Sequence, residues 1–246
     1  MSTLARLAAP ILSLIERKSA YYLGKGYSTP RESYEIAALA SLIGPPGVVF
    51  DGGANKGEWT AAAKKVWPSA EYHLFEPSRL NAALLAERYP DAAINRVALS
   101  DRPGKAMLFS NEPGSGIASL HQRRLEHHGL SHDPTEETTL ITLDDYCAEH
   151  GIAAVGVLKL DIEGHELAAF KGAEATLRKT RAVQFEFGGC NIDSRVFFQD
   201  FWYLFRDAGF ALYRITPFGP LPVPTYRETD EAFVISNYIA LNRAAS

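Results

Sequence analysis

The feature that most constrains the fold is a regular alternation of short apolar runs and helical segments, which begins at residue 47. Apolar and period-two runs predict strands, and the segments between them have helical spacing. The seven strands predicted for the main sheet are "VVF", "AEYHLF", "AAINRVAL", "AVGVLKL", "AVQFEF", "FALYRI" and "NYIAL". Such alternation predicts a mostly parallel sheet with right-handed crossovers, and the last two strands should pair antiparallel because no full helix separates them. The predicted class is therefore α/β, with a seven-stranded, mostly parallel sheet and a closing antiparallel strand pair.

Between the third and fourth of these strands lies a less regular part of the chain. "AMLFS" and "TTLIT" are predicted as further strands, and residues 111–137, rich in Gly, His, Ser and charge, as a long surface excursion between them. The stretch "ELAAFKGAEATLRK", which follows the fourth strand, is predicted as one helix.

The first 46 residues precede the alternation and are predicted to be a helical extension, separated by the breaker cluster "GPPG" from a single domain at residues 47–246. Apolar residues between positions 4 and 15 recur at helical spacing, and charged residues and Pro10 interrupt any run long enough to cross a bilayer. We expect this helix to pack on its own domain, while contact with a second copy or with a membrane surface stays open. No transmembrane segment or secretory leader is predicted.

Charge and cysteine content exclude several classes of protein. A formal net charge of -4 and a pI near 6.0 give no general attraction to a phosphate backbone, so nucleic acid is not an expected partner. Cys147 and Cys190 are the two cysteines, and their wide separation argues against a disulfide framework and a zinc knuckle. This composition is typical of a protein of the reducing cytoplasm.

Acidic or polar residues follow four of the predicted strands. They are Asp51, Glu76, Ser100 with Asp101, and Asp161. In open α/β sheets, ligands bind outside the carboxyl ends of the strands, so these residues mark the candidate site.

The loop "DGGANKG" after the first strand resembles a dinucleotide loop but departs from its glycine pattern. The expected third glycine is missing from either starting position, because Ala54 stands there when counting from Gly52 and Asn55 when counting from Gly53. Its glycines still allow close backbone approach to a ligand. Asp51 would repel a pyrophosphate but attract the sulfonium and ammonium of S-adenosylmethionine, which carries no phosphate. The loop therefore favours this cofactor over NAD.

Glu76, directly after the second strand, supports the same cofactor. An acid at this position can accept hydrogen bonds from both hydroxyl groups of an unphosphorylated ribose. The alternative is an acid that merely favours the start of the next helix. Agreement with the glycine loop makes the cofactor interpretation the stronger one.

The motifs "DGGANKG", "FEPS", "VALSD" and "LKLDIEGHE", in this order, resemble those of the FkbM-type S-adenosylmethionine-dependent methyltransferases over about residues 47–241. This resemblance implies a Rossmann-like methyltransferase fold with the same closing antiparallel strand pair. The implied cofactor-binding residues are Asp51, Gly53, Asn55 and Gly57 in the loop at the methionine part, Glu76 at the ribose, and Ala98 and Ser100 in the adenine segment 98–101. Gly52 is a departure, since many relatives carry a branched apolar residue there, and the sequence offers no physical reason for it.

The end of the fourth strand is the predicted catalytic region. Asp161, Glu163 and His165 provide three titratable side chains in five residues, next to the first strand of the sheet. Methyl transfer to a hydroxyl group requires in-line alignment and removal of a proton, and any of the three could be the base. The structural alternative is that Asp161 caps a helix and Glu163 suits its first turn.

Metal binding is open but not expected, and no metal-ligating residue is assigned. Magnesium could be held by oxygens of Asp161, Glu186, and Asn191 or Asp193. The four histidines of the excursion are His121, His127, His128 and His132. No cysteine joins them and Gly129 interrupts their spacing, so a solvated loop is the favoured interpretation.

The sequence thus predicts a cytoplasmic S-adenosylmethionine-dependent methyltransferase that acts on a hydroxyl group of a small molecule, sugar or glycan precursor. The acceptor follows from the family resemblance. Residues 111–137 and the proline-rich linker from Thr216 to about Asp230 are the predicted acceptor-recognition segments. Two alternatives remain: a non-catalytic scaffold of the same fold, and an NAD-linked oxidoreductase, which Asp51 and Ala54 disfavour. A homodimer is left open.

Overall fold

A computed structural model describes residues 3–26 and 32–244 of the 246-residue chain. The helices are α1 (Thr3–Tyr22), α2 (Glu32–Leu42), α3 (Glu58–Val66), α4 (Arg79–Arg88), α5 (Leu143–Glu149), α6 (Glu166–Lys171), α7 (Glu174–Arg178), α8 (Cys190–Ser194) and α9 (Phe198–Asp207). The strands are β1 (Val48–Gly52), β2 (Glu71–Phe75), β3 (Ala93–Asn95), β4 (Ala98–Leu99), β5 (Gly104–Ser110), β6 (Asp133–Ile141), β7 (Val155–Leu160), β8 (Thr180–Phe187), β9 (Phe210–Thr216), β10 (Gly219–Pro222) and β11 (Ser236–Asn242).

The main sheet has the strand order β10-β9-β11-β8-β7-β1-β2-β3. All seven predicted strands contribute to it, and β10 adds a short eighth strand within the predicted linker. The neighbours from β8 to β3 are parallel, so their carboxyl ends lie at one edge of the sheet. The predicted antiparallel pairing of the last two strands is confirmed by β9 and β11. This edge, with β1 and β7 at its centre, positions the candidate site.

A second, three-stranded sheet of order β4-β6-β5 lies at the end of the third predicted strand. That strand was expected to be continuous, but it divides between β3 of the main sheet and β4 of the small one. The stretches "AMLFS" and "TTLIT" lie in β5 and β6, which pair antiparallel. The excursion between these two strands is therefore attached at both ends to a small sheet beside the site.

The single helix expected after β7 begins at Glu166, as predicted, but it is divided into α6 and α7 around Gly172. A Cβ atom at Gly172 would lie 2.0 Å from the carbonyl oxygen of Ser100, so the backbone approaches its neighbour too closely for any other residue. This contact brings the end of α6 against the end of β4.

The core lies on both faces of the main sheet. One cluster contains Phe170, Phe185 and Phe201, and the other includes Leu39 of α2 and Trp59 of α3. Because α2 supplies fully buried side chains, part of the predicted N-terminal extension packs with the sheet.

Helix α1 differs from this pattern. The side chains of residues 9–19 are all exposed, so the expected packing of this helix on its own domain is wrong for them. Its end is nevertheless attached to the sheet, since Arg214 donates to the carbonyl of Leu23 at 3.3 Å and Gly26 donates to that of Ile235 at 2.9 Å. Among the helices of the described ranges, none has the length and apolar character needed to span a membrane.

Candidate active site

A cavity of about 560 Å³ opens at the carboxyl ends of β1, β2 and β7. Seven of the ten residues predicted for cofactor binding or catalysis line it: Gly53, Asn55, Glu76, Ala98, Asp161, Glu163 and His165. The other three, Asp51, Gly57 and Ser100, lie next to it but are not among its lining residues. The position of the cavity is that of a ligand site at the carboxyl edge of an open sheet.

The glycine loop after β1 is shaped by close backbone contacts. Gly53 has a φ of 71°, and a Cβ atom there would lie 1.9 Å from the carbonyl oxygen of Asp161. Gly57 has a φ of 83°, and its carbonyl accepts a hydrogen bond of 2.7 Å from the hydroxyl of Tyr89. At Gly52, a Cβ atom would lie 2.5 Å from the Leu160 side chain, which gives the physical reason that the sequence did not provide.

The carboxylate of Asp51 is fully buried and is matched by a buried lysine. Nζ of Lys159 lies 3.0 Å from Asp51 Oδ1 and donates to the carbonyl oxygen of Gly53 at 2.9 Å. The hydroxyl of Thr60 donates to Asp51 Oδ2 at 2.6 Å. The negative charge is therefore neutralised inside the fold and does not face the cavity, so our electrostatic argument for Asp51 needs correction. Its direct contact with the cofactor stays a prediction, and the geometry gives it the role of holding the loop.

Glu76 joins the ends of two strands and also faces the cavity. Oε2 accepts a hydrogen bond of 2.8 Å from the backbone of Asn55, and Oε1 accepts one of 2.9 Å from the backbone of Ser78. Burial raises the pKa of Glu76, while these two donors and the Lys159 charge oppose the shift. The residue thus fixes both the glycine loop and the start of α4, and its contact with a ribose stays a prediction.

His165 lies at the predicted adenine end of the cavity. Nε2 is 3.0 Å from Oγ of Ser100, and Nδ1 is 3.1 Å from Nε2 of His121. Burial, together with the neighbouring His121, lowers the pKa of His165 to about 4, and burial also lowers the pKa of His121. Both imidazoles are therefore neutral at neutral pH, and both ring nitrogens of His165 already have hydrogen-bond partners.

The solvated-loop interpretation of the histidines is wrong for two of the four. His121 contacts His165, which lines the cavity, and His132 is buried. Nδ1 of His132 accepts a hydrogen bond from the backbone of Arg123 at 3.0 Å, so its Nε2, 3.0 Å from the carbonyl oxygen of Ile117, is the donor there. This histidine fixes the path of the excursion. His127 and His128 are exposed, as expected.

Asp161 and Glu163 occupy the turn between β7 and α6. The Asp161 side chain is 41% exposed and lies 3.9 Å from Lys159 Nζ, so its carboxylate is open to the cavity. Glu163 has a φ of 54°, and its carboxylate is 2.5 Å from Nη1 of Arg123. Burial raises the pKa of Glu163, reinforced by the charge of Asp161 and opposed by that of Arg123.

The helix-capping alternative for Asp161 is wrong. Because α6 begins at Glu166, Asp161 lies too far along the chain to cap it. Instead, Oε1 of Glu166 accepts hydrogen bonds from the backbone of Ile162 at 2.8 Å and of Gly164 at 3.2 Å. Asp161 is thereby left available to the cavity.

Two of the magnesium ligands considered from the sequence have other partners. Oδ1 of Asn191 accepts a hydrogen bond from the backbone of Gly188 at 2.9 Å, and Asp193 lies 3.7 Å from Nε of Arg123. Among the described acids, histidines and cysteines, Glu186 is grouped with Glu163 and Cys190 and not with Asp161 or Asp193.

The excursion over residues 111–132 covers the cavity and supplies part of its lining. Ser115, Gly116 and Ser119 are among its lining residues, and the hydroxyl of Ser119 donates to the carbonyl oxygen of Glu163 at 2.8 Å. The second predicted recognition segment, from Thr216 to Asp230, contributes nothing to the lining of this cavity.

Sequence reasoning missed three residues that shape the site. Lys159 had a usable signal, because it is a charged residue within the apolar run "AVGVLKL". Arg123 lies within the predicted acceptor-recognition segment 111–137, but its charge is used by Glu163 and Asp193. His121 gave no local signal that separates it from the exposed histidines nearby.

Comparison with known proteins gives a consistent picture. The model of the "Methyltransferase FkbM domain" matches residues 51–212. The chain is 28% identical over 192 residues to the 2-O-methyltransferase NoeI of Sinorhizobium fredii (strain NBRC 101917 / NGR234), covering 72% of this chain and 78% of that protein. It is 32% identical over 157 residues to the 31-O-demethyl-FK506 methyltransferase FkbM of Streptomyces tacrolimicus, covering 53% of this chain and 60% of the relative. Among solved structures, the O-methyltransferase from Bacillus cereus in complex with SAH superimposes with a TM-score of 0.47 and 10% identity, over 98% of each chain.

Proposed function

Because the chain belongs to the FkbM methyltransferase family, it is an S-adenosylmethionine-dependent methyltransferase, and we propose that it methylates a hydroxyl group of a small molecule, sugar or glycan precursor. The observation that carries the proposal is the cavity, which brings Gly53, Glu76 and Asp161 together at one edge of the sheet. The names of both relatives describe methyl transfer at oxygen, which supports a hydroxyl acceptor.

We assign the cofactor an extended position along this cavity. Gly53 and Asn55 border its methionine part, Glu76 accepts hydrogen bonds from the ribose, and Ala98 lies at the adenine. Three residues next to the lining support it. Asp51 and Gly57 hold the glycine loop, and Ser100 holds the adenine end.

Asp161 is the residue we propose as the proton acceptor. Its carboxylate is open to the cavity, whereas Glu163 is held by Arg123 and both nitrogens of His165 are hydrogen-bonded. The bound cofactor supplies an electrophilic methyl group. As the acceptor oxygen forms its bond to that methyl, the carbon–sulfur bond breaks with its electron pair on sulfur, and the hydroxyl proton passes to Asp161. Glu163 holds the turn after β7 in position, and His165 holds the adenine end of the cavity.

We assign no metal to this transfer, and no nucleic-acid partner. The division into a 1–46 extension and a 47–246 domain remains part of the proposal. Both cysteines are free, which agrees with the proposed reducing compartment.

Exposed apolar side chains along α1, namely Ile11, Leu12, Leu14 and Ile15, support a contact with a second copy of the chain. Analytical ultracentrifugation distinguishes this dimer from a monomer.

The proposal is tested by calorimetric titration with S-adenosylmethionine, S-adenosylhomocysteine and NAD. The first two should bind, and Glu76→Ala should weaken both. Binding of NAD alone would require an oxidoreductase, and binding of none of the three would favour the scaffold.

For the proton acceptor, Asp161→Asn should bind S-adenosylhomocysteine as the original protein does but lose about 10²–10⁴-fold in transfer rate. Asp145→Asn, an exposed acid on α5, is the control that should retain the rate. An undiminished rate in Asp161→Asn removes this residue from the mechanism while leaving the cofactor site intact.

A further inference from the structure

A group of acidic side chains lies beside the cavity, where the turn after β7, the end of β8 and the start of α8 meet. Glu163, Glu186 and Cys190 each offer a ligand atom, and these three atoms lie within 4.8 Å of one another. Among the described residues, the Glu186 carboxylate has neither a hydrogen-bond nor an ion-pair partner. It therefore lies beside a second carboxylate, that of Glu163, without a cation of its own.

Glu166 provides an independent observation at the same place. Its side chain is 0% exposed, and Oε1 is used by the backbone donors of Ile162 and Gly164. Oε2 is buried without a hydrogen-bond partner in the described structure. Glu166 lies beside the cluster, because Gly164, which donates to its Oε1, packs against Cys190: a Cβ atom at Gly164 would lie 3.0 Å from the Cys190 carbonyl oxygen. A buried carboxylate oxygen without a donor is costly unless a cation or a proton satisfies it.

The nearby positive charges are already matched by other acids. Arg123 lies 2.5 Å from Glu163 and 3.7 Å from Asp193. Lys159 lies 3.0 Å from Asp51 and 3.9 Å from Asp161. The acidic side chains around Glu186 therefore outnumber the cations that could balance them.

We propose that Glu163, Glu186 and Cys190 form a binding site for a divalent cation, with Glu166 as an outer carboxylate. Two carboxylates and a thiolate suit a cation of intermediate softness such as Zn²⁺, whereas Mg²⁺ prefers oxygen ligands alone. The cation connects the turn after β7 with β8 and α8, so its main effect is to stabilise the wall behind the cavity. The site does not rest on the proposed function, since neither Glu186 nor Cys190 lines the cavity.

The test begins with calorimetric titration of the chelator-treated full chain with ZnCl₂ and, separately, MgCl₂. Zinc should bind at one ion per chain, more tightly than magnesium, and should release protons because the thiol must ionise. CoCl₂ should produce the near-ultraviolet absorption of a thiolate-bound cobalt ion. Cys190→Ser should abolish that absorption and weaken zinc binding at least about tenfold. Cys147→Ser, at a part-buried free cysteine on α5, is the matched control and should change neither.

Glu186→Gln should weaken zinc binding by a similar factor. Glu149→Gln, at an exposed acid at the end of α5, is its control and should leave zinc binding unchanged. Circular dichroism and binding of S-adenosylhomocysteine show that each variant is folded, and they report on the proposed function separately. The proposal is overturned if the original protein binds no zinc, or if Cys190→Ser and Glu186→Gln retain its affinity. Loss of binding in Cys147→Ser would assign the ion elsewhere and also overturn it.

Discussion

Replacement of Lys159 by methionine should destabilise the fold more than its single charge suggests. Lys159 is 4% exposed, and its ammonium contacts Asp51 at 3.0 Å and the carbonyl of Gly53 at 2.9 Å. Burial alone lowers the pKa of Lys159, but the charges of Asp51 and Asp161 outweigh burial and hold it above the ordinary value. The lysine is therefore charged, and Lys159→Met leaves the buried Asp51 carboxylate with the Thr60 hydroxyl as its hydrogen-bond donor.

The expected loss in the free energy of unfolding is about 3–5 kcal/mol, the usual cost of leaving one member of a buried ion pair uncompensated. About 1 kcal/mol of this is the hydrogen bond to Gly53. Urea unfolding followed by circular dichroism measures it. The double variant Asp51→Asn with Lys159→Met leaves no buried charge and should recover part of the loss.

The ion pair of Lys105 with Glu137 supplies the control for this experiment, because the two side chains are 69% and 58% exposed. Lys105→Met should leave the urea midpoint of unfolding nearly unchanged, because exposed ion pairs contribute little. A loss below about 1 kcal/mol in Lys159→Met, or a double variant less stable than the single one, would refute the reasoning.

Two further substitutions test the turn against which the cofactor loop packs. Gly53→Ala should lose both stability and affinity for S-adenosylhomocysteine, because its Cβ would lie 1.9 Å from the Asp161 carbonyl oxygen. Gly129 has the same φ of 71° but lies in open space, so Gly129→Ala should lower the free energy of unfolding by only about 1–2 kcal/mol and leave the affinity unchanged. Equal losses in the Gly53→Ala and Gly129→Ala variants would show that the contact with Asp161 is unimportant. Burial raises the pKa of Glu166 in the folded state from 4.5 to about 7. Between these two pH values the unfolded state releases the carboxyl proton while the folded state keeps it, so the free energy of unfolding falls as pH rises. Glu166→Gln, followed by urea unfolding across that range, should make the decline shallower by up to about 1.4 kcal/mol per pH unit; an unchanged slope would contradict the assignment.

The sheet was predictable because its evidence is local. Each of the seven strands is a short apolar run. The two-residue period of a strand and the helical period of the segments between strands can be recognised without knowledge of the neighbouring segments. The division of the third strand and the break at Gly172 were not predictable. Both depend on contacts between distant segments, such as the approach of Gly172 to the carbonyl of Ser100.

The same distinction applies to the candidate site. Strand ends identified Glu76 and Asp161, because the carboxyl edge of a parallel sheet follows from the strand pattern. The state of Asp51 depended on a residue 108 positions later in the chain, Lys159, so its charge could not be judged from its own loop. His121 and Arg123 belong to an irregular segment whose path is set by hydrogen bonds to distant residues, and no periodic signal describes such a path.

The excursion over residues 111–132 has a consequence for how such enzymes can diversify. It begins and ends on the small sheet, and it contacts the turn after β7 through Glu163 and His165. It also touches the donor side, since Asn81 donates both to the carbonyl of Gly114 in the excursion and to Asn55 in the glycine loop. Exchange of this excursion between relatives would therefore alter the acceptor side and leave the donor side in place only where the contacts of His121 and Gly114 are kept.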